Sequence, residues 1–589
     1  MMYSKVLFFL DHADKRKIVY LFILFVFVGI IEVAGVLSIM PFVGMMTDPD
    51  YFGSNSLSVN IKNYLSISNK EFTLLLGLLF VVLFLTCSFL NGLTVWLNTR
   101  LSAIMGQKIS SKLFNHYLSQ SYEFFVKNDK ASLSKNIIEV SVSLSESLFI
   151  PALQILARLI ILLFISILLI NINPIAFASS LLMISIIYLF IFRIIKNRLD
   201  QYGKERLRYN DMLFKSASDC LNSIKDVKFY NIESFFSNIF SKSQKTFRLS
   251  SKKYMMSIIP RYIVEIVAFG SIFITLLYLQ YNDFNLAQYT PEIALFVLAA
   301  YRLLPSIQQI FAFTASIKFN LPALDLIHDD MNTQPSLVHK HKLVDIDEEV
   351  IFNNINFSYD KNKNILSNIN MNIHSKTYNA IIGESGSGKT TLIDLLLGLY
   401  QPISGKILLS NSLYDKNTNK LLIGYVSQNS PFIDDSILNN IAFGIESKKI
   451  NIDKANKLIN ICGLSDLIKT LPDGIDSAIG DNGSRLSGGQ LQRIAIARAL
   501  YRNPKVLILD EATNALDIDT EKILFKSIKS IYLDMTVICI THRLSTMREC
   551  NNIFHLANGS INKICDEHNI ISDNELSIII DKYKLDEKK

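Results

Sequence analysis

Six apolar stretches, each long enough to cross a bilayer as a helix, crowd into the first 320 of 589 residues. A hydrocarbon core takes about 20 helical residues to span. The runs are 18–44, 73–97, 150–171, 174–192, 262–281 and 292–313, and the second and fourth carry no charged residue. Soluble proteins do not bury six such helices in succession, so the first part of the chain is read as a helical membrane domain. Composition agrees: 50% of residues are hydrophobic, 19% are charged and the mean hydropathy is +0.29. Those values exclude a disordered, collagen-like or coiled-coil chain.

The net charge of +7 is unevenly placed. Residues 345–589 hold 27 Lys and Arg against 30 Asp and Glu, so the excess of cations lies in the apolar part. Nucleic-acid binding needs such charge on a polar surface; here it alternates with apolar runs, and no nucleic-acid partner is expected. The basic residues sort by loop. The 100–135 stretch has six Lys and Arg and 193–253 has fourteen, against two in 47–70 and none in 171–174 or 282–291. Positive-inside placement puts the N-terminus, both long loops and the second part of the chain in the cytoplasm. The two long loops have helical patterning with almost no Gly or Pro. They read as helices that leave the membrane and turn back near Ser121–Lys130 and Asp226–Glu233. The six cysteines show no CxxC spacing or disulfide framework, and no secretory signal is recognised at the N-terminus.

After about residue 320 the pattern changes. Residues 321–349 read as a linker, and from 350 short β-rich runs alternate with helical ones, the signature of an α/β domain. Residues 566–589 read as a charged tail. Within the α/β part, Gly383, Glu384, Ser385, Gly386, Ser387, Gly388, Lys389 and Thr390 form a complete G-x-x-x-x-G-K-[ST] loop between a strand-like run, Tyr378–Ile382, and a helical one starting at Thr391. Such a loop wraps phosphates with backbone N–H groups at a helix N-terminus. Lys389 is expected on the β- and γ-phosphates and Thr390 on Mg²⁺. Four apolar residues, 506–509, deliver Asp510 to the same metal. Glu511 follows as the base that polarises the attacking water. Ser487, Gly488, Gly489 and Gln490 make a second anion cradle at a helix start. One nucleotide does not need two cradles on one face, so this one is expected to close over the nucleotide of another copy.

In this order these motifs resemble the nucleotide-binding domain of ABC transporters, over residues 350–565. The resemblance implies that Tyr359 stacks on adenine and that Gln428 is the Q-loop residue that touches Mg²⁺. It also implies that Asp517 belongs to the D-loop and that His542 is the switch histidine at the γ-phosphate. The implied fold is an α-helical six-span transmembrane domain, 1–320, followed by an α/β P-loop NTPase domain. The implied assembly is a homodimer with two ATP sites, and the order of parts is that of exporters and flippases. The two cytoplasmic turns then correspond to coupling helices. In the membrane part, the segments 32–42, 48–52 and 297–306 resemble bacterial lipid-linked oligosaccharide flippases of the PglK type. That likeness implies a polyprenyl-diphosphate glycan as substrate, an inner-membrane location, a role in glycan assembly and a short external helix over 57–67.

Three arginines within or beside apolar spans, Arg158, Arg261 and Arg302, are candidates to meet a diphosphate, because a guanidinium fork matches phosphate oxygens in bidentate fashion. A charge at the bilayer centre costs roughly 2.5–3.5 kcal/mol on insertion scales, so each needs a cavity or a partner. The competing arrangement is internal pairing, with Glu265 next to Arg261 and Glu32 next to another arginine. An exporter of lipid A, drug or peptide is the alternative transporter. A non-transporting ABC ATPase is the alternative of another class, and the six spans oppose it.

Overall fold

The computed structural model describes residues 5, 8–47, 68–172, 174–255, 286–333, 349–359, 364–409 and 423–565, with scattered positions in 262–273 and short strand pieces at 342–343, 412–413 and 419–420. Side chains between 175 and 197 are mostly outside that description. Most of the fifth apolar run, the external helix expected over 57–67, Arg261 and the 566–589 tail also lie outside the described residues. The chain divides into two units, 1–120 with 124–335, and 121–123 with 336–589.

The first unit is helical. Helices His12–Leu37 and Ile39–Thr47, Asn69–Leu118, Ile150–Ile172, Pro174–Asn222 and Leu286–Asn332 contain the first, second, third, fourth and sixth apolar runs. Four helical stretches among the described residues are long and apolar enough to span a membrane: His12–Thr47, Asn69–Leu118, Lys130–Ile172 and Thr290–Asn332. Helix Asn69–Leu118 outruns any hydrocarbon core because nothing stops it. Ser68 caps its start in a box with Glu71, and no Pro interrupts it. Its basic second half becomes the extension read from the loop charge. The turns fall as the polar segments indicated, with short helices Tyr122–Lys127 and Ile224–Phe229 between the long ones. The last long helix runs to Asn332, beyond the boundary expected at 320, because Leu324 and Ile327 are fully buried and keep it packed.

Within Lys130–Ile172 the helix widens twice, into π-turns at Asn136–Val140 and Ser145–Phe149. Apolar periodicity does not reveal such turns, since the pattern reads as helix on either side. Several charges in this unit are paired, buried Asp14 and Lys135 among them. Lys108 Nζ lies 2.8 Å from both oxygens of buried Asp14, Lys112 meets Asp11 at 2.7 Å, and buried Lys135 bonds Asp211.

The second unit is α/β. Its main sheet has six strands in the order 560–565, 552–557, 378–382, 536–540, 506–510, 423–426, all parallel except the first pair. Strands Tyr378–Ile382, Val506–Asp510 and Thr536–Ile540 are buried along their whole length, as parallel strands covered on both faces must be. A four-stranded antiparallel sheet, in the order 366–373, 350–357, 404–409, 412–413, completes the unit. The two larger of its three apolar clusters fill most of it. One holds Val350, Phe352, Leu392, Ile508 and Ile538, and the other Ile437, Leu458, Leu500, Leu507 and Val537. The loops that follow the parallel strands therefore gather at their C-terminal ends, where ligands of such sheets sit.

Candidate nucleotide site

Strand Tyr378–Ile382 ends in the glycine-rich loop, and helix Lys389–Leu396 begins immediately after it. Two glycines are obligatory there. Gly388 caps the helix at φ +105°, a left-handed conformation. A side chain at Gly383 would bring Cβ to 2.2 Å from the carbonyl oxygen of Leu556. The loop opens on a cavity of about 900 Å³ lined by Glu384 through Thr391, Gln428, Asp510, Glu511 and His542, with Asn364, Ile365, Ile540, His555 and 557–559 completing the wall. Lys389 Nζ donates to the carbonyls of Gly383 and Glu384, both at 2.7 Å. The ammonium is thus held at the cavity by neutral acceptors that a phosphate can replace. Ser387 Oγ is buried with no hydrogen-bond partner, a polar atom suited to an incoming oxygen ligand.

Asp510 ends its strand at the cavity, and its Oδ2 accepts from the Tyr425 hydroxyl at 3.3 Å. Burial pushes its carboxyl above the usual range. The Tyr425 hydrogen bond opposes that, the Glu511 charge adds to it and Lys389 offsets it. Behind it, burial and the Asp510 charge push Asp394 up to about 6. Glu511 adopts φ +51°, a strained turn that bends the chain out of the sheet and presents the carboxylate to the cavity. Its Oε2 accepts from Gln428 Nε2 at 2.8 Å and Asn514 Nδ2 at 3.0 Å, and its Oε1 lies 3.6 Å from His542 Nε2. Gln428, Glu511 and His542, drawn from three separate motifs, meet at one point.

No group of three or more His, Cys, Asp or Glu side chains able to hold a metal occurs among the described residues. The residues present fit Mg²⁺ that arrives with phosphates. Asp510 and the Thr390 hydroxyl supply hard oxygens, Gln428 is adjacent, and phosphate oxygens and water complete the shell.

Other motif residues stand elsewhere. Tyr359 is not part of the cavity wall; its hydroxyl is 3.1 Å from Thr391 Oγ1 and its ring packs edge-on against Phe357 and Tyr400. Ser487 caps helix Gly488–Leu500, its backbone N–H donating to Gln490 Oε1 at 2.8 Å. Asp517 caps Ile518–Ile531, accepting from the Thr520 amide at 2.9 Å. Ser487, Gly488, Gly489, Gln490 and Asp517 thus do not line their own chain's cavity. The motifs missed Tyr425, Asp394, Asn514 and His555. Each lies close in sequence or in sheet register to a motif residue, and that proximity was the available signal.

In the membrane unit Arg302 Nη1 lies 3.5 Å from Glu32 Oε1, and the guanidinium sits 4.9 Å above the Phe84 ring. Asn91 Nδ2 donates to the same Glu32 oxygen at 2.8 Å. Glu32 is thus the partner of Arg302. Its Oε2 and the Nε of Arg158 are buried without hydrogen-bond partners among the described residues. Glu265 accepts from Gln308 Nε2 at 3.1 Å.

Comparison with known proteins places both units. The ABC transporter transmembrane region model matches residues 18–305 and the ABC transporter model matches 366–514. The ATP-dependent lipid A-core flippase of Photobacterium profundum is 29% identical over 461 residues, 76% of this chain and 77% of that protein. The alpha-hemolysin translocation ATP-binding protein HlyB of Escherichia coli O157:H7 is 40% identical over 234 residues, 39% of this chain and 33% of that one. Several other curated relatives are likewise matched over about a third of their own length. The solved structure of a bacterial Atm1-family ABC exporter with ATP bound aligns with a TM-score of 0.80 at 21% identity, covering 98% of this chain and 99% of that one. The chain joins an ABC transporter transmembrane region to an ABC transporter ATPase domain, with the fold of an ABC exporter.

Proposed function

We propose that this ATP-driven transporter works as a homodimer in the bacterial inner membrane, with its N-terminus and ATPase domain cytoplasmic, and flips a lipid-diphosphate-linked oligosaccharide. The observation that carries the ATPase half is the convergence of Gln428, Glu511 and His542 beside Lys389 and Asp510 on one cavity. ATP binding exchanges the two carbonyls on Lys389 Nζ for phosphate oxygens. Thr390, Gln428 and Asp510 would hold Mg²⁺, which supplies charge neutralisation at the phosphates. Glu511 orients the attacking water and takes its proton on a carboxylate oxygen, while Gln428 and Asn514 fix the carboxylate and His542 faces the same point. Ser487 and Gln490, on the start of a helix away from that cavity, complete the site of the other copy.

The substrate reading rests on the basic character of the intramembrane cluster. Among the described residues, Arg158 and Arg302 share the carboxylate of Glu32, leaving one guanidinium for an anionic headgroup. A second reading, a lipid A-type glycolipid, draws on the relative named as a lipid A-core flippase. Both substrates carry phosphate on a glycolipid, so the test must compare them. Nanodisc-reconstituted protein is assayed for ATPase stimulation and for flipping with polyprenyl-diphosphate oligosaccharide and with lipid A-core. Stimulation and flipping by the first alone supports the proposal. Response to lipid A-core alone replaces the substrate, and no ATP-dependent movement of either overturns the flippase reading.

A further inference from the structure

Two thiols meet in the ATPase domain beside the switch segment, and neither has a part in hydrolysis. Cys539 lies in the central strand Thr536–Ile540, 1% exposed, in register with Ala380 on one side and Leu509 on the other. Cys550 follows the short helix Leu544–Met547 and is half-buried. Its side chain packs on the apolar cluster that contains Cys539 and on the one formed by Ala380, Met547 and Ile553. Ala380, beside Cys539 in the sheet, belongs to the cluster that Cys550 covers, so the two side chains are neighbours; the Cys550 thiol donates to the Thr546 carbonyl at 3.3 Å, and both cysteines are free.

The ten residues between them include the residues that sense the nucleotide. His542 Nε2 lies 3.6 Å from Glu511 Oε1. Arg543 donates to the carbonyls of Leu516 and Asn514, both at 2.8 Å. It thereby ties this segment to the turn that holds Asn514 against Glu511. One thiol sits on a strand that cannot move without breaking the sheet; the other sits at the end of the segment that must adjust around a γ-phosphate.

We propose that Cys539 and Cys550 are a redox modification site, closing to a reversible disulfide that arrests ATP hydrolysis by pinning the segment that carries His542. The oxidant is a peroxide. The half-buried Cys550 sulfur attacks the peroxide oxygen, giving a sulfenic acid and releasing water from hydrogen peroxide. The Cys539 sulfur then attacks Cys550 sulfur, the S–S bond forms and the hydroxyl leaves with the Cys539 proton as a second water. Two thiols lose two electrons and two protons, and the peroxide gains both. Cys550 is the more exposed of the two sulfurs and meets the oxidant first, while the neighbouring thiol and burial hold the Cys539 thiol well above its usual range. A dithiol reductant reverses the bond by exchange. Reversible intracellular disulfides are characteristically sensing ones.

The inhibitory half of this proposal rests on the ATPase reading above; the bond itself does not. Full-length protein in nanodiscs is treated with hydrogen peroxide, blocked, and digested with trypsin. Cleavage after Lys529, Arg543, Arg548 and Lys563 leaves the two cysteines in separate peptides, 530–543 and 549–563, joined only by the disulfide. The expected result is the linked peptide pair, with ATPase activity reduced at least about fivefold and restored by dithiothreitol. Cys550→Ser and Cys550→Ala keep the reduced-state activity and lose the peroxide sensitivity. Absence of the linked pair, an unchanged rate in the linked protein, or undiminished inhibition of both variants overturns the proposal. A protein inactive under reductant overturns the ATPase reading instead, and the linked pair still decides whether the bond forms.

Discussion

At the scale of single residues, the site divides into what motifs expose and what the sheet brings near. Glu511 was legible because it follows Asp510 at a strand end. Its partners Asn514 and Gln428 complete a geometry that only the folded loops create. We expect Glu511→Gln to retain ATP binding and lose steady-state hydrolysis by at least about 100-fold, the usual weight of a general base. Nucleotide binding and phosphate release in the same preparation check this. Tyr425 and Asp394 carry no motif, so the acidic pair behind the P-loop was invisible. Its consequence is measurable. Asp394 has its folded pKa raised to about 6, so the folded state binds the extra proton between the unfolded value near 3.8 and 6. Stability therefore falls as pH rises through that window, and the penalty is complete above it. Asp394→Asn removes the penalty. The variant is expected to melt higher than wild type at pH 8, and the difference to shrink at pH 5 without vanishing, since the penalty is lost only below the unfolded value near 3.8. Thermal melts at both pH values decide, and equal melting at pH 8 refutes the burial argument.

At the scale of elements, five of the six apolar runs fall in helices among the described residues, since length and hydropathy fix where a membrane helix must lie. They did not show where helices end. The last one passes 320 because Leu324 and Ile327 are buried well beyond the membrane-like run. Nor did they show how closely helices approach. Gly203, in helix Pro174–Asn222, lies so near helix Leu286–Asn332 that an added Cβ would stand 2.1 Å from the carbonyl oxygen of Phe319. Small residues are what allow such backbone approach between membrane helices. Gly203→Ala should force the pair apart and destabilise the protein by about 1–3 kcal/mol, the range for overpacking. A detergent-solubilised melt lowered by several degrees is the expected reading; an unchanged melt shows that the contact yields freely.

At the scale of the whole molecule, a second anion cradle at Ser487, unneeded by its own chain's nucleotide, implied a second copy, whereas the pairing of intramembrane charges needed three dimensions. We expect cysteines introduced at Ser387 and Ser487 to crosslink between chains when ATP is added. Ser487 caps a helix, so its replacement also costs about 1 kcal/mol. Crosslinks confined to one chain refute the composite site. The substrate role of Arg302 is separable from its structural one, because Glu32 faces it. Arg302→Ala should lower flipping about tenfold while removing the ion pair of the buried Glu32, which keeps its Asn91 hydrogen bond. Adding Glu32→Gln should recover thermal stability without recovering flipping. Recovery of both makes the pair purely structural. The ion pair between Lys5 and Asp325, at 2.6 Å, and the contact of the Phe8 and His328 rings, 5.4 Å apart, join the two ends of the membrane unit. A ribosome adding about 5–20 residues per second needs roughly 16–64 s to go from one end of that pair to the other. For that interval the segment carrying Lys5 and Phe8 must wait, its clasp unmade, until the last helix of the unit emerges to receive it.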